Sequence, residues 1–138
     1  MNTVEASSAE PKGKPERYPG AYAARTPDRP AIIAGTGFRQ SFAELDAAAN
    51  QLSRALRAAG FGVGDHAAVL LENHERYAEV VWGCHYAGLI YTVISSRSTP
   101  AEVTAILRDS RAGALITDRK STRLNSSHEI PSRMPSSA

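Results

Sequence analysis

The 138-residue chain carries 16 lysines and arginines against 14 aspartates and glutamates, is 42% hydrophobic and has a single cysteine. That balance fits one modest globular domain and excludes wholesale disorder and an internal disulfide framework, and it suits a reducing, cytoplasmic compartment. No apolar run approaches the ~20 residues of a membrane helix, and the first residues lack the apolar stretch of a secretory signal.

The positive charge is concentrated at one end. After Asp118 come Arg119, Lys120, Arg123 and Arg133 against Glu129, so the chain before them holds 12 basic and 13 acidic residues, about −1. The arginines left are scattered singly, as on solvated helix faces, which argues against nucleic-acid binding.

In chain order, residues 1–17 are polar and proline-containing and read as a flexible leader. Tyr18–Thr26 predicts a short helix that stops ahead of Pro27, because the residue before a proline is pushed out of the helical region. Ala31–Ala34 and Phe38–Gln40 flank Gly35-Thr36-Gly37 and predict a hairpin. Ser41-Phe42-Ala43-Glu44 predicts a capping box. Phe42, Leu45, Ala49, Leu52, Leu56 and Ala59 then repeat at helical spacing, and Gly60 stands where a left-handed cap is wanted.

Ala67–Leu71 is a continuous apolar run and predicts a strand buried on both faces. Asn73 is the expected cap of a helix with Tyr77, Val80, Val81, Cys84 and Ala87 on one face and Gly88 at its end. Leu89–Ile94 predicts a second buried strand. Thr99-Pro100-Ala101-Glu102 predicts another capping box, Val103, Ile106 and Leu107 the apolar face of its helix, Gly113 the end of the turn that follows, and Ala114–Thr117 the start of a third strand. The fold class expected is α/β: a β-hairpin, then β-α-β-α-β with a parallel sheet joined by right-handed crossovers, broken off as the third strand begins.

The last residues, Asp118–Ala138, have another reading. They back-translate in one frame, without a gap, into a string that resembles the ligation adapter of short-read sequencing libraries, then an index, then the adapter's next constant segment. Residues 119–138 are therefore expected to be non-native, with Asp118 at the boundary. Composition alone would make them a disordered serine-rich tail.

No motif before that tail assembles a complete active site. Gly60-Phe61-Gly62-Val63-Gly64-Asp65 is glycine-rich, but it follows a helix and precedes a strand. A phosphate cradle needs the opposite order, with helix amides facing the anion. His66, His74 and His85 have no metal-like spacing. Cys84 sits on an apolar stripe as a small core residue. Glu75 and Glu79, with Glu72 nearby, read as a solvated helix face rather than paired carboxylates. Trp82 and Tyr91 suit either a pocket wall or core packing. Ser95-Ser96-Arg97-Ser98 follows a strand, where α/β sheets bind ligands.

The ordered run Tyr18–Thr117 resembles the start of the adenylate-forming acyl-CoA synthetases, especially bacterial fatty-acid–CoA ligases. The residues that carry this are Thr26-Pro27-Asp28-Arg29-Pro30-Ala31-Ile32, Ser41-Phe42-Ala43-Glu44-Leu45, Asn50-Gln51-Leu52 with Ala55-Leu56, and Gly62-Val63-Gly64-Asp65 leading to Ala68–Asn73. Ala87–Tyr91, Thr99–Val103 and Ile106–Ser110 complete the series. Ser95 and Ser98 depart from it, standing where relatives often show asparagine and an apolar residue.

The resemblance implies that 18–117 is the N-terminal portion of a larger AMP-binding domain, which stands between the leader 1–17 read from composition and the non-native tail 118–138 read from back-translation. It implies ATP and Mg2+ for acyl-adenylate formation from a carboxylate such as a fatty acid, then transfer to coenzyme A. It also implies that the phosphate loop with its lysine, the Tyr-Gly-x-Thr-Glu motif, the ribose-binding aspartate and the C-terminal-domain lysine lie downstream. The expectation is therefore an inactive piece, with no catalytic, cofactor-binding or metal-binding residue of its own. Other adenylate-formers (aryl-CoA ligases, peptide-synthetase adenylation domains) and a self-contained, non-enzymatic α/β interaction module are the alternatives.

Overall fold

The computed structural model describes residues 16–118, so the leader up to residue 15 and the tail from residue 119 lie outside the described residues. The elements are α1 (Pro19–Arg25), β1 (Pro30–Ile33), β2 (Arg39–Ser41), α2 (Phe42–Ala58), β3 (His66–Leu70), α3 (Tyr77–Ala87), β4 (Ile90–Ile94), α4 (Pro100–Ser110) and β5 (Ala114–Thr117). β1 and β2 form the antiparallel hairpin, and β4-β3-β5 form a three-stranded sheet in which both pairings are parallel.

Local chemistry explains the helix boundaries. The Ser41 hydroxyl accepts the Glu44 amide and the Glu44 carboxylate accepts the Ser41 amide, and Thr99 and Glu102 repeat this at α4. α2 closes with Phe61 donating to the Leu56 carbonyl and Gly60, at φ 96°, donating to Arg57. α3 closes the same way through Leu89 and Gly88. These are paired bonds of a left-handed cap, which a glycine adopts without a Cβ clash.

β3 carries both cores because it is the middle strand. Ala67 and Val69 point to one face, where Leu56 of α2, Cys84 and Ala87 of α3, and Leu89 pack. Ala68 and Leu70 point to the other, against Ile94 and Val103. Alternate residues of a strand face opposite sides, so a short apolar run fills two layers at once.

Three expectations need correction. Asn73 does not cap α3: the helix begins at Tyr77 behind Arg76 with no side-chain cap, and the Arg76 amide donates instead to His74 Nδ1 at 3.1 Å. β4 is not buried on both faces. Among the described residues it is an edge strand, with Ile90 52% and Val93 53% exposed, because β5 returns to the far side of β3. Ala59 is exposed and leaves the apolar stripe of α2 to end at Leu56. After α4 the left-handed position is Arg111, φ 53°.

Candidate functional site

The carboxyl ends of β3, β4 and β5 share one edge of the sheet. α3 packs on one face and α4 on the other, so the segments leaving the neighbours β3 and β4 part to opposite sides. α/β sheets form their ligand crevice at such a point. Here Leu71, Glu72 and Asn73 stand on one side and Ser95–Ser98 on the other. Ser95 turns inward on its own backbone: its hydroxyl accepts the Arg97 amide at 3.2 Å and its carbonyl accepts the Ser98 amide at 3.0 Å.

The other sequence candidates stay apart. In the glycine-rich loop, the Gly62 amide donates to Asp65 Oδ2 at 2.7 Å and the Gly64 amide to the Gly88 carbonyl at 2.9 Å. The loop thus spends two of its amides on itself and its neighbour, and is a turn into β3. His66 opens β3, His74 lies in the turn before α3, and exposed His85 meets the Tyr91 hydroxyl at 3.2 Å. Among the described residues no group of three or more histidines, cysteines or acids could hold a metal ion. Cys84 is fully buried, and burial pushes its thiol up, away from the reactive thiolate.

Trp82 and Tyr91 flank His85, with both ring centroids 5.2 Å from the imidazole. The acidic residues correct another expectation. Glu75 lies ahead of α3 and accepts the Thr36 hydroxyl, while Glu79 accepts the Gln40 side-chain amide and is only 13% exposed. These carboxylates tie the hairpin to α3 and do not form a solvated face.

Two open clefts bring together residues that the sequence did not group. One, about 380 Å³, is lined by Tyr18, Gly20, Asp46, Asn50, Ser53, Arg57 and Tyr86. At its back the Tyr86 hydroxyl donates to Asp46 Oδ1 at 2.6 Å and accepts the Gly20 amide at 3.1 Å. Burial, then the bond to Asp46, holds the Tyr86 hydroxyl far above its usual range. Gly20 permits this approach, since a Cβ there would stand 2.9 Å from Asp46 Oδ1. The spacing 46, 50, 53, 57 is itself helical and was the available signal. The second cleft, about 360 Å³, lies between β2, α2 and the start of α3 and includes Gln40, Glu44, Arg76 and Glu79. Nothing in the spacing around Gln40 marked it.

The chain matches the family model described as "AMP-binding enzyme" over residues 21–137. It is 34% identical over 89 residues to a fatty acid–[acyl-carrier-protein] ligase of Streptomyces coeruleorubidus, covering 64% of this chain and 17% of that protein. It is 34% identical over 99 residues to a feruloyl-CoA synthase of Amycolatopsis, covering 72% of this chain and 20% of that protein. The o-succinylbenzoate coenzyme A synthetase of Bacillus subtilis, solved in complex with ATP and magnesium ion, superposes with TM-score 0.71 at 31% identity, covering 78% of this chain and 29% of that one. The chain thus spans about a fifth of the length of these curated relatives.

Proposed function

Because the chain belongs to the AMP-binding, adenylate-forming enzyme family, we propose that it is the N-terminal part of an AMP-forming acyl-CoA ligase acting on a fatty acid. In that reaction a carboxylate oxygen attacks the α-phosphorus of ATP, the bond to the β-phosphate breaks and pyrophosphate leaves. The sulfur of coenzyme A then attacks the acyl carbon, and the bond to AMP breaks. A carboxylate oxygen is a poor leaving group and AMP a better one, which is the purpose of the first step.

The observation that carries this reading is the family-like order of capped helix, glycine turn and parallel β-α-β-α-β over 18–117. The fatty-acid substrate rests on the Streptomyces ligase. The amides of Gly62 and Gly64 are used within the turn into β3, and among the described residues no group of three or more histidines, cysteines or acids could hold a metal ion, so no contact to ATP or magnesium is assigned to this chain and no step is routed through it. The same holds for catalytic side chains: none is assigned. On this reading the present chain is inactive, 1–17 is a leader, 118–138 is non-native sequence, and the parent is cytoplasmic and binds no nucleic acid.

The test compares two proteins. The natural gene, recovered from intact genomic DNA, is expressed whole and assayed for pyrophosphate release and acyl-CoA formation with ATP, Mg2+, coenzyme A and a carboxylate series. Fatty acids are expected to lead the series for the parent, and the 138-residue chain is expected to form no acyl-CoA. Acyl-CoA formed by the 138-residue chain itself would overturn the reading. A second reading, an aryl-CoA ligase, is favoured by equal identity to the feruloyl-CoA synthase, and a preference for aromatic acids in the same series would select it.

A further inference from the structure

Among the described residues β4 pairs on one side only, with β3. The Ile90 amide donates inward to the Asp65 carbonyl at 2.9 Å. Backbone groups alternate in direction along a strand, so those of Ile90, Thr92 and Ile94 face β3, and those of Tyr91 and Val93 face outward. Ile90 and Val93 are half-exposed, one on each face of the sheet. Natural edge strands are ordinarily blunted by a charge, a proline or a bulge. Ile90-Tyr91-Thr92-Val93-Ile94 holds neither charge nor proline, and its register with β3 is unbroken. The strand also reads nearly the same in both directions about Thr92: isoleucine at both ends, then Tyr91 against Val93. Such a strand complements itself when a second copy lies antiparallel to it.

We propose that β4 pairs with β4 of a second copy of this chain, antiparallel about a two-fold axis beside Thr92. The sheet then runs β5-β3-β4-β4-β3-β5, three strands from each copy. In that register Tyr91 of each copy faces Val93 of the other. Each such pair exchanges two N–H···O bonds, which uses the outward groups of both residues. Thr92 meets Thr92 between them as the closer, non-bonded pair. Half-exposed Ile90 lies beside Ile94, and half-exposed Val93 beside Tyr91. Aromatic with β-branched and Thr with Thr are favourable cross-strand neighbours. A slip by one residue would set outward groups against inward ones, and a slip by two would leave one isoleucine of each strand unmatched. The outer segments of the chain offer no such match. Residues 1–15 and 119–138 hold no run of β-branched and aromatic residues comparable with β4, and Pro11, Pro15, Pro131 and Pro135 interrupt them. An edge this short buries little area, so the pairing is reversible. The inference concerns the 138-residue chain itself and does not rest on the ligase reading.

The experiment is sedimentation equilibrium of the 138-residue chain over a rising concentration series, with a cross-linking arm. The chain is expected to pass from monomer to dimer. Val93→Lys, a change at a half-exposed position, is expected to stay monomeric where the wild-type chain is dimeric. Thr92→Cys sets two thiols across the axis, where Cα atoms of a non-bonded pair lie about 4.5 Å apart, within disulfide reach. Oxidised glutathione should therefore link that variant into a covalent dimer. Ile90→Cys faces Ile94 and not itself, and should give no link. Cys84 is fully buried and does not compete. The cross-link does not require the lysine variant to fold. A monomer throughout the series overturns the proposal. So does a monomer whose Tyr91 and Val93 amides resist hydrogen exchange, since another part of the chain then covers the edge. Equal cross-linking of the two cysteine variants, or assembly past a dimer, overturns the register.

Discussion

The Tyr86 hydroxyl joins three helices, and Tyr86→Phe removes it with almost no change in volume. Two bonds are lost together: the one donated to Asp46 at 2.6 Å and the one accepted from the Gly20 amide at 3.1 Å. A hydrogen bond to a charged acceptor contributes about 1.5–3 kcal/mol, and a neutral one about 1 kcal/mol. Tyr86 and Asp46 are half-buried, so water recovers part of this, and Asn50 still donates to Asp46 at 3.2 Å. A net loss of about 2 kcal/mol follows. Phenylalanine keeps the ring that packs edge-on against Tyr18, so the loss belongs to the hydroxyl and not to a cavity.

The assay is equilibrium urea unfolding, followed by the fluorescence of Trp82, whose ring lies 6.1 Å from Tyr86. A pH series isolates the same bond. Burial, then the bond to Asp46, raises the folded-state pKa of Tyr86 above the ordinary tyrosine value of about 10. The neutral hydroxyl therefore contributes its full stability below about pH 10 and loses it as pH rises further, through the folded-state value. The wild-type chain should lose stability above pH ~10 more steeply than Tyr86→Phe, although Tyr18 and Tyr77, also raised, keep some slope in both. A loss under about 0.5 kcal/mol, with parallel alkaline profiles, would refute the claim that this bond clamps α1 to α2 and α3.

Gly83→Ala sets two effects against each other: alanine gains about 1 kcal/mol of helix propensity. The new Cβ would stand 2.6 Å from Leu52 Cδ2 and 2.8 Å from its Cβ and Cγ, where α3 crosses α2. Overpacking of that kind costs about 1–3 kcal/mol, so a net destabilisation near 1 kcal/mol is expected as a lower urea midpoint. Arg111→Gly relieves a left-handed arginine and should stabilise the fold by about 0.5–1 kcal/mol, seen as a higher urea midpoint, despite the looser unfolded chain. Thr99→Ala removes one half of the α4 capping box and should cost about 1 kcal/mol, with hydrogen exchange accelerating first in the Glu102 and Val103 amides.

Local patterns in the sequence determined the helices and their starts wherever one short stretch contains both partners. Ser41 with Glu44 and Thr99 with Glu102 are three residues apart, and the Gly60 and Gly88 caps depend only on their own backbone. The apolar run at β3 likewise announced a strand with two covered faces. Tertiary structure decided what requires distant partners. Strand order put β4 at an edge, which no feature of Ile90–Ile94 reveals. Glu79 reads as a solvated helix residue until Gln40, 39 residues earlier, is folded against it. The Asp46–Tyr86 bond joins positions 40 residues apart. Periodicity reports which face a residue occupies, but only the packed chain says what that face meets.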